Sequence, residues 1–174
     1  YLEYNHNKTI VDFFEEQVEK NPNNIALVFK MKTMTYSELN KKVNSLARYL
    51  NTNKIRKGSI VGIIVNRSFE MIISILAVLK AGASYIPIDP EYPEERISYI
   101  LENSNCDAII TLQKQSSKVQ SLGFEKLIII VDLCNEIVYN LPDNNLNNDI
   151  AQDDLSYLIF TSGSAGSPKG VMLT

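Results

Sequence analysis

Ser59-Ile60-Val61-Gly62-Ile63-Ile64-Val65, then Ser68 and Phe69-Glu70-Met71-Ile72-Ile73-Ser74-Ile75-Leu76-Ala77-Val78-Leu79-Lys80, then Gly82 and Ser84-Tyr85-Ile86-Pro87-Ile88 is the stretch that decides the fold. The first run is apolar and β-branched, which predicts a buried strand over 59–65. Ser68 can cap a helix over 69–80, Glu70 suits its first turn, and Gly82 falls just past its end. That helix is apolar nearly all round, so it is expected to be deeply buried. The chain then returns as a strand over 84–88. Strand, buried helix and strand in this order predict a parallel pair joined by a crossover.

The same rhythm continues on both sides. Upstream, Thr9 can cap a helix whose inner face carries Ile10, Phe13, Phe14 and Val18, and Asn21-Pro22-Asn23-Asn24 ends it. Short strands over 25–29 and 33–35 flank a turn. Thr35-Tyr36-Ser37-Glu38 fits a capping box, after which Leu39, Val43, Leu46 and Leu50 recur at helical spacing. Lys41, Lys42 and Arg48 lie opposite and read as a solvated face. Downstream, Pro93 begins a helix with Glu94 and Glu95 at its start and Ile97, Ile100 and Leu101 inside. Strands are expected over 107–111 and 127–131, with a polar helix over 113–121 between them. Residues 135–154, rich in Asn and Asp, read as a surface connection. The expected class is α/β, with a largely parallel sheet flanked by helices.

Bulk properties bound the function. The 174 residues suffice for one modest core, and 45% hydrophobic with 21% charged residues is ordinary for a globular chain. A net charge of −3 argues against a general nucleic-acid surface. Cys106 and Cys134 have no metal or redox spacing and read as buried or half-buried thiols in a reducing compartment. The polar start gives no signal-peptide pattern, and Asn66, Arg67 and Glu70 interrupt the longest apolar region, so no membrane partner is expected and the location expected is cytoplasmic. His6, the lone histidine, reads as solvated. Asp89, Glu91, Glu94 and Glu95 read as helix-start chemistry, and Tyr85, Tyr92 and Tyr99 as packing residues.

The chemistry concentrates in Thr161-Ser162-Gly163-Ser164-Ala165-Gly166-Ser167-Pro168-Lys169-Gly170. Glycines let the backbone approach a ligand, and successive N–H groups can form an anion nest. The hydroxyls of Thr161, Ser162, Ser164 and Ser167 add donors, and Lys169 adds a positive charge. The helix-opening pattern G-x-x-x-x-G-K-[ST] does not fit. Apolar runs at 155–160 and 171–173 predict strand–loop–strand instead.

The ordered block TSGSxGxPKG resembles the phosphate loop of the adenylate-forming superfamily. Leu79-Lys80-Ala81-Gly82 through Arg96-Ile97 resembles the LKAGxxYxPIDPxxPxxRI block of amino-acid-activating adenylation domains, and Met34-Thr35-Tyr36-Ser37-Glu38-Leu39-Asn40 and Arg67-Ser68-Phe69-Glu70-Met71 resemble further blocks of the same domains. Nonribosomal peptide synthetase domains fit best, with D-alanine–carrier protein ligases as the alternative within the superfamily. A non-catalytic scaffold or docking module is the alternative of another class, suggested by Ala165, which stands where the family usually carries a second hydroxyl residue, and by the family's catalytic residues falling outside these 174 residues.

The resemblance implies that an amino acid and ATP with Mg²⁺ give aminoacyl-AMP, and that the acyl group then passes to the phosphopantetheine of a peptidyl carrier domain beside neighbouring synthetase domains. It assigns ATP phosphate binding to Thr161, Ser162, Gly163, Ser164, Ala165, Gly166, Ser167, Lys169 and Gly170, and no protein metal site. The family's catalytic residues are expected beyond Thr174. The chain is thus expected to be the N-terminal part of one adenylation domain, cut just after its phosphate loop and inactive alone.

Overall fold

The computed structural model describes residues 8–161 and 169–174. His6 therefore lies outside the described residues. Helix α1 (Ile10–Lys20) starts at a capping box in which Thr9 and Asp12 exchange hydrogen bonds. Strands β1 (Ile25–Phe29) and β2 (Lys32–Thr35) form a separate antiparallel hairpin. Helix α2 (Tyr36–Thr52) begins at the expected box: Glu38 accepts from the Thr35 backbone N–H at 2.8 Å, and Thr35 Oγ1 accepts from the Glu38 N–H at 3.2 Å. The backbone N–H and the hydroxyl of Thr35, both donating to the Glu38 carboxylate, hold that carboxyl below the usual carboxylate range.

Then follow β3 (Ile60–Ile64), α3 (Phe69–Lys80), β4 (Ser84–Pro87), α4 (Glu94–Asn103), β5 (Ala108–Thr111), a 3₁₀ turn (Gln113–Gln115), α5 (Ser116–Ser121) and β6 (Leu127–Ile130). A short α6 (Glu136–Tyr139) precedes β7 (Tyr157–Thr161) and β8 (Lys169–Leu173). The six-stranded sheet runs β6-β5-β3-β4-β7-β8, parallel except for the final antiparallel pair. This is the expected α/β class.

The strand order fixes where the helices go. Moving from β3 to β4 and from β4 back to β5 requires crossovers in opposite directions, and right-handed crossovers then place α3 and α4 on opposite faces. Two cores result. One joins Val61, Ile63, Ala108, Ile110 and Ile129 of the strands to α2, α3 and Val138 of α6. The other joins Ile64, Ile86 and Ile109 to Ile97, Ile100 and Leu101 of α4 and Val119 of α5. Burial on both faces explains why these strands read as continuous apolar runs rather than alternating ones. Each buried Val, Ile or Leu among them stabilises the fold by about 1.5–3 kcal/mol. Gly62 allows a close approach: a Cβ there would lie 3.3 Å from both Cys106 Sγ and Leu101 Cδ2. Gly82, just after α3, adopts φ +81°, the left-handed region that favours glycine.

Four expectations need correction. Ile10 is 60% exposed, and Val11 is the buried residue of α1's first turn. Cys134 is exposed, whereas Cys106 is buried beneath α4, where desolvation pushes its thiol up to about 11. The segment at 135–154 is more than a surface connection: it contains α6, capped by Asn135, and buries Val138. Finally, Arg48 is not simply solvated. Its guanidinium donates to the carbonyls of Pro142 (3.0 Å) and Asn144 (2.8 Å), and Lys42 lies over the Tyr139 ring.

Candidate functional site

The phosphate-loop sequence joins β7 to β8. Ser162, Gly163, Ser164, Ala165, Gly166, Ser167 and Pro168 lie outside the described residues. Both flanks are strands, so the expected strand–loop–strand frame is present. Thr161 pairs with Lys169 and Phe160 with Gly170 across the antiparallel ladder. Thr161 and Lys169 therefore stand side by side at the base of the loop, and both are exposed. None of the described salt bridges engages Lys169. Gly170 has a packing reason of its own: a Cβ there would meet Phe160 Cζ at 3.3 Å.

The loop leaves the carboxyl end of β7, and β7 runs parallel to β4. Thr161 and Lys169 therefore lie at the same end of the sheet as the carboxyl ends of β3 and β4, where α3 and α4 diverge to opposite faces. Ligands of open α/β sheets bind at such switch points. A crevice of about 660 Å³ lies there, lined among others by Val65, Arg67, Met71, Pro87, Asp89 and Tyr92. Asp89 accepts from the Glu91 N–H at 2.9 Å, which matches the helix-entry role read for it. A second cavity, of about 370 Å³, lies at the opposite, amino-terminal end beside Ala83, Ser156 and Thr174, away from the loop.

The tyrosines behave as packing residues where the structure defines their partners. Tyr85 stacks on Tyr157 with ring centroids 5.5 Å apart, and burial raises its phenol. Tyr92 lies under the Arg96 guanidinium at 4.3 Å. Among the described residues no cluster of three His, Cys, Asp or Glu side chains could hold a metal ion, and no helix is long and apolar enough to cross a membrane.

One constellation escaped the sequence reading. Lys80 ends the apolar helix α3, where a lysine is ordinarily explained by the helix dipole. Its side chain is instead 2% exposed. Nζ pairs with Glu15 of α1 at 2.6 Å and donates to Asn40 (2.8 Å) and Asn44 (2.6 Å) of α2. A longer contact of 3.3 Å reaches Asn145 in the segment before β7. Desolvation lowers the ammonium's pKa, and the Glu15 partner opposes that shift. A signal was available: Asn44 and Ser45 are polar residues inside the buried arc of α2, and both are buried.

A largely parallel sheet with a Ser/Gly-rich loop held between two strands, rather than opening a helix, defines a class of α/β proteins distinct from the helix-based nucleotide binders. Within that class, the chain belongs to the family described as AMP-binding enzyme, which matches residues 14–174.

Bacitracin synthase 2 of Bacillus licheniformis is 46% identical over 162 residues, 93% of this chain and 6% of that protein. The N-terminal subdomain of Klebsiella oxytoca NpsA is 30% identical and superposes with a TM-score of 0.82, over 97% of this chain and 42% of that one. NpsA-ThdA, an artificially fused adenylation–PCP di-domain of a nonribosomal peptide synthetase from Klebsiella oxytoca, is likewise 30% identical with a TM-score of 0.82, over 99% of this chain and 33% of that one. The chain thus spans a small part of the relatives it matches. The resemblance drawn from the sequence blocks at 34–40, 67–71, 79–97 and 161–170 is borne out along nearly the whole chain.

Proposed function

We propose that this chain is the N-terminal part of one amino-acid adenylation domain of a nonribosomal peptide synthetase, and that its loop at 161–170 binds the β- and γ-phosphates of ATP. The observation that carries the reading is the TSGSxGxPKG sequence between β7 and β8, whose ends Thr161 and Lys169 lie at the carboxyl end of the parallel strands. The match to bacitracin synthase 2 over 93% of the chain supports it.

In the proposed reaction a carboxylate oxygen of the amino acid attacks the α-phosphorus of ATP. The new O–P bond forms as the bond from the α-phosphorus to the β-bridging oxygen breaks. Pyrophosphate leaves with that electron pair, and aminoacyl-AMP remains. The thiolate of a carrier-bound phosphopantetheine then attacks the acyl carbon and AMP departs. The negative charge that builds on the leaving pyrophosphate is what the loop must offset. Lys169 supplies a full charge from an exposed position, and Thr161 beside it supplies a hydroxyl donor. Preorganised groups of this kind lower a barrier because they need not reorient as the charge develops. Ala165 removes one hydroxyl from the family pattern, so the remaining donors and Lys169 carry more of the task. Mg²⁺ bound to the phosphates of ATP would neutralise part of their charge.

The test is ATP–pyrophosphate exchange by the intact protein that carries this chain, with each proteinogenic and common nonproteinogenic amino acid. Exchange with at least one of them is expected. A folded protein that exchanges with none of them refutes the assignment and leaves the docking-module reading. Exchange confined to D-alanine favours the D-alanine–carrier protein ligase alternative.

A further inference from the structure

We infer that Lys80 and the asparagines around it position β7, and through it Thr161 and Lys169, so that Lys80 is a positioning residue for ATP binding. The inference rests on the assignment of the loop given above.

The ladders of the sheet are unequal. β3 pairs with β4 from Ile60–Ser84 to Ile63–Pro87 and with β5 from Val61–Ala108 to Ile64–Thr111. The β4–β7 ladder is confined to Tyr85–Tyr157. Around it, the Tyr85 N–H donates to the Ser156 carbonyl at 3.1 Å, Tyr85 stacks on Tyr157, and Leu158 packs into the core that holds Ile86. β8 adds no anchor to the sheet, because it pairs with β7 itself. The hairpin that carries Thr161 and Lys169 is therefore paired to the sheet near one point, with Leu158 buried in the second core as its apolar anchor, and its direction depends also on the chain that enters it.

That entering chain is fastened every few residues by side chains of α2 and α3. Ser45 donates to the Leu141 carbonyl (3.0 Å), Arg48 to Pro142 and Asn144, and Asn44 to Asp143 (2.7 Å). Asn145 Oδ1 accepts from Asn40 (2.9 Å), Asn44 (3.1 Å) and Lys80. Asn148 donates to the Lys80 carbonyl at 2.7 Å. Lys57 then pairs with Asp154 at 2.7 Å, and Ser84 donates to Leu155 at 2.6 Å. Lys80 is the buried centre of this series. Its ammonium sets the orientation of the Asn40 and Asn44 amides by claiming their oxygens, which turns their NH₂ groups toward Asp143 and Asn145. A buried network with its donors matched to acceptors rigidifies what it holds.

Asn145→Ala and Lys80→Met, made in the intact protein, test the inference. The expected result is a KM for ATP raised by about tenfold while the KM for the activated amino acid stays within roughly twofold, since small displacements of binding groups weaken only the ligand they hold. Backbone amides of 157–161 should exchange hydrogen at least about tenfold faster, with those of 60–64 unchanged. A mere loss of folded protein would lower the maximal rate and leave both KM values alone. Should Lys80→Met fail to fold, Asn145→Ala, which leaves no charge unpaired, carries the test. Unchanged exchange at 157–161 overturns the inference, as does faster exchange with an unchanged KM for ATP. If the unmutated protein activates no amino acid, the functional assignment fails, and the control of β7 by this network stands or falls on hydrogen exchange alone.

Discussion

Two lysines, Lys80 in the block at 79–97 and Lys169 in the loop at 161–170, occupy opposite environments. Lys80 lies 2% exposed among Glu15, Asn40 and Asn44. Lys169 stands exposed at the base of the loop, with no salt bridge among the described residues. The difference teaches which charge is available to a ligand. A buried ammonium must be matched by the protein itself, so its charge is already spent on holding α1, α2, α3 and the approach to β7 together. An exposed one retains its charge for a phosphate arriving from solvent.

The comparison can be broken by removing each charge in turn. Lys80→Met should give the largest effect, a loss of about 3 kcal/mol measured by denaturant unfolding. Removing one member of a buried pair leaves the other groups unsatisfied, and the partial exposure of Glu15 moderates the cost. Stability within about 0.5 kcal/mol of the unmutated protein would show the network to be dispensable. Lys169→Ala should do the reverse. It should lower ATP–pyrophosphate exchange at subsaturating ATP by about a hundredfold, comparable to the loss of one charge-stabilising donor. The melting temperature should hardly move. A change confined to the KM for the amino acid would contradict the role given to Lys169.

Two smaller effects sharpen the contrast around Lys80. Gly82→Ala should destabilise by roughly 1 kcal/mol, because an L side chain is disfavoured at φ +81°. The nearest atom to the added Cβ is the Lys57 N at 3.6 Å, so the penalty is conformational rather than steric. The smallest effect concerns the Lys57–Asp154 pair on the surface. The hydrogen bond from Lys57 lowers the Asp154 pKa from 3.8. A depressed carboxylate contributes stability above its unfolded pKa and loses it as pH falls through the folded value. The contribution should therefore be full at neutral pH, begin to fall near about pH 4 and be gone only below the folded pKa. Asp154→Asn should remove that slight pH dependence from the unfolding midpoint, and an unchanged profile would discount the pair.

Much of the fold was legible because it rests on local rules. The Thr35–Glu38 capping box, the Ser68 cap, the apolar α3 and the glycine after it each need only a few neighbouring residues to make sense. The strand–loop–strand frame of the candidate site was legible for the same reason. Arg48 and the asparagines were not, because their partners lie about a hundred residues away: Arg48 meets Pro142, and Asn44 meets Asp143. A polar run such as 140–154 looks solvated until the surface it crosses is known. Lys80 ends the expected helix over 69–80, and its burial could not be seen from a helix terminus that suits any lysine.

The sequence by itself determined the α/β rhythm, the position of the loop between two strands and the family to which the chain belongs. These follow from hydrophobic period, caps and an ordered motif, all carried by residues close together along the chain. Only the tertiary structure decided that α3 and α4 cover opposite faces, that Lys80 is buried while Lys169 is exposed, and that the connection at 140–154 is fastened to α2. Those outcomes depend on strand order and on side chains that meet only after folding, which no local pattern encodes.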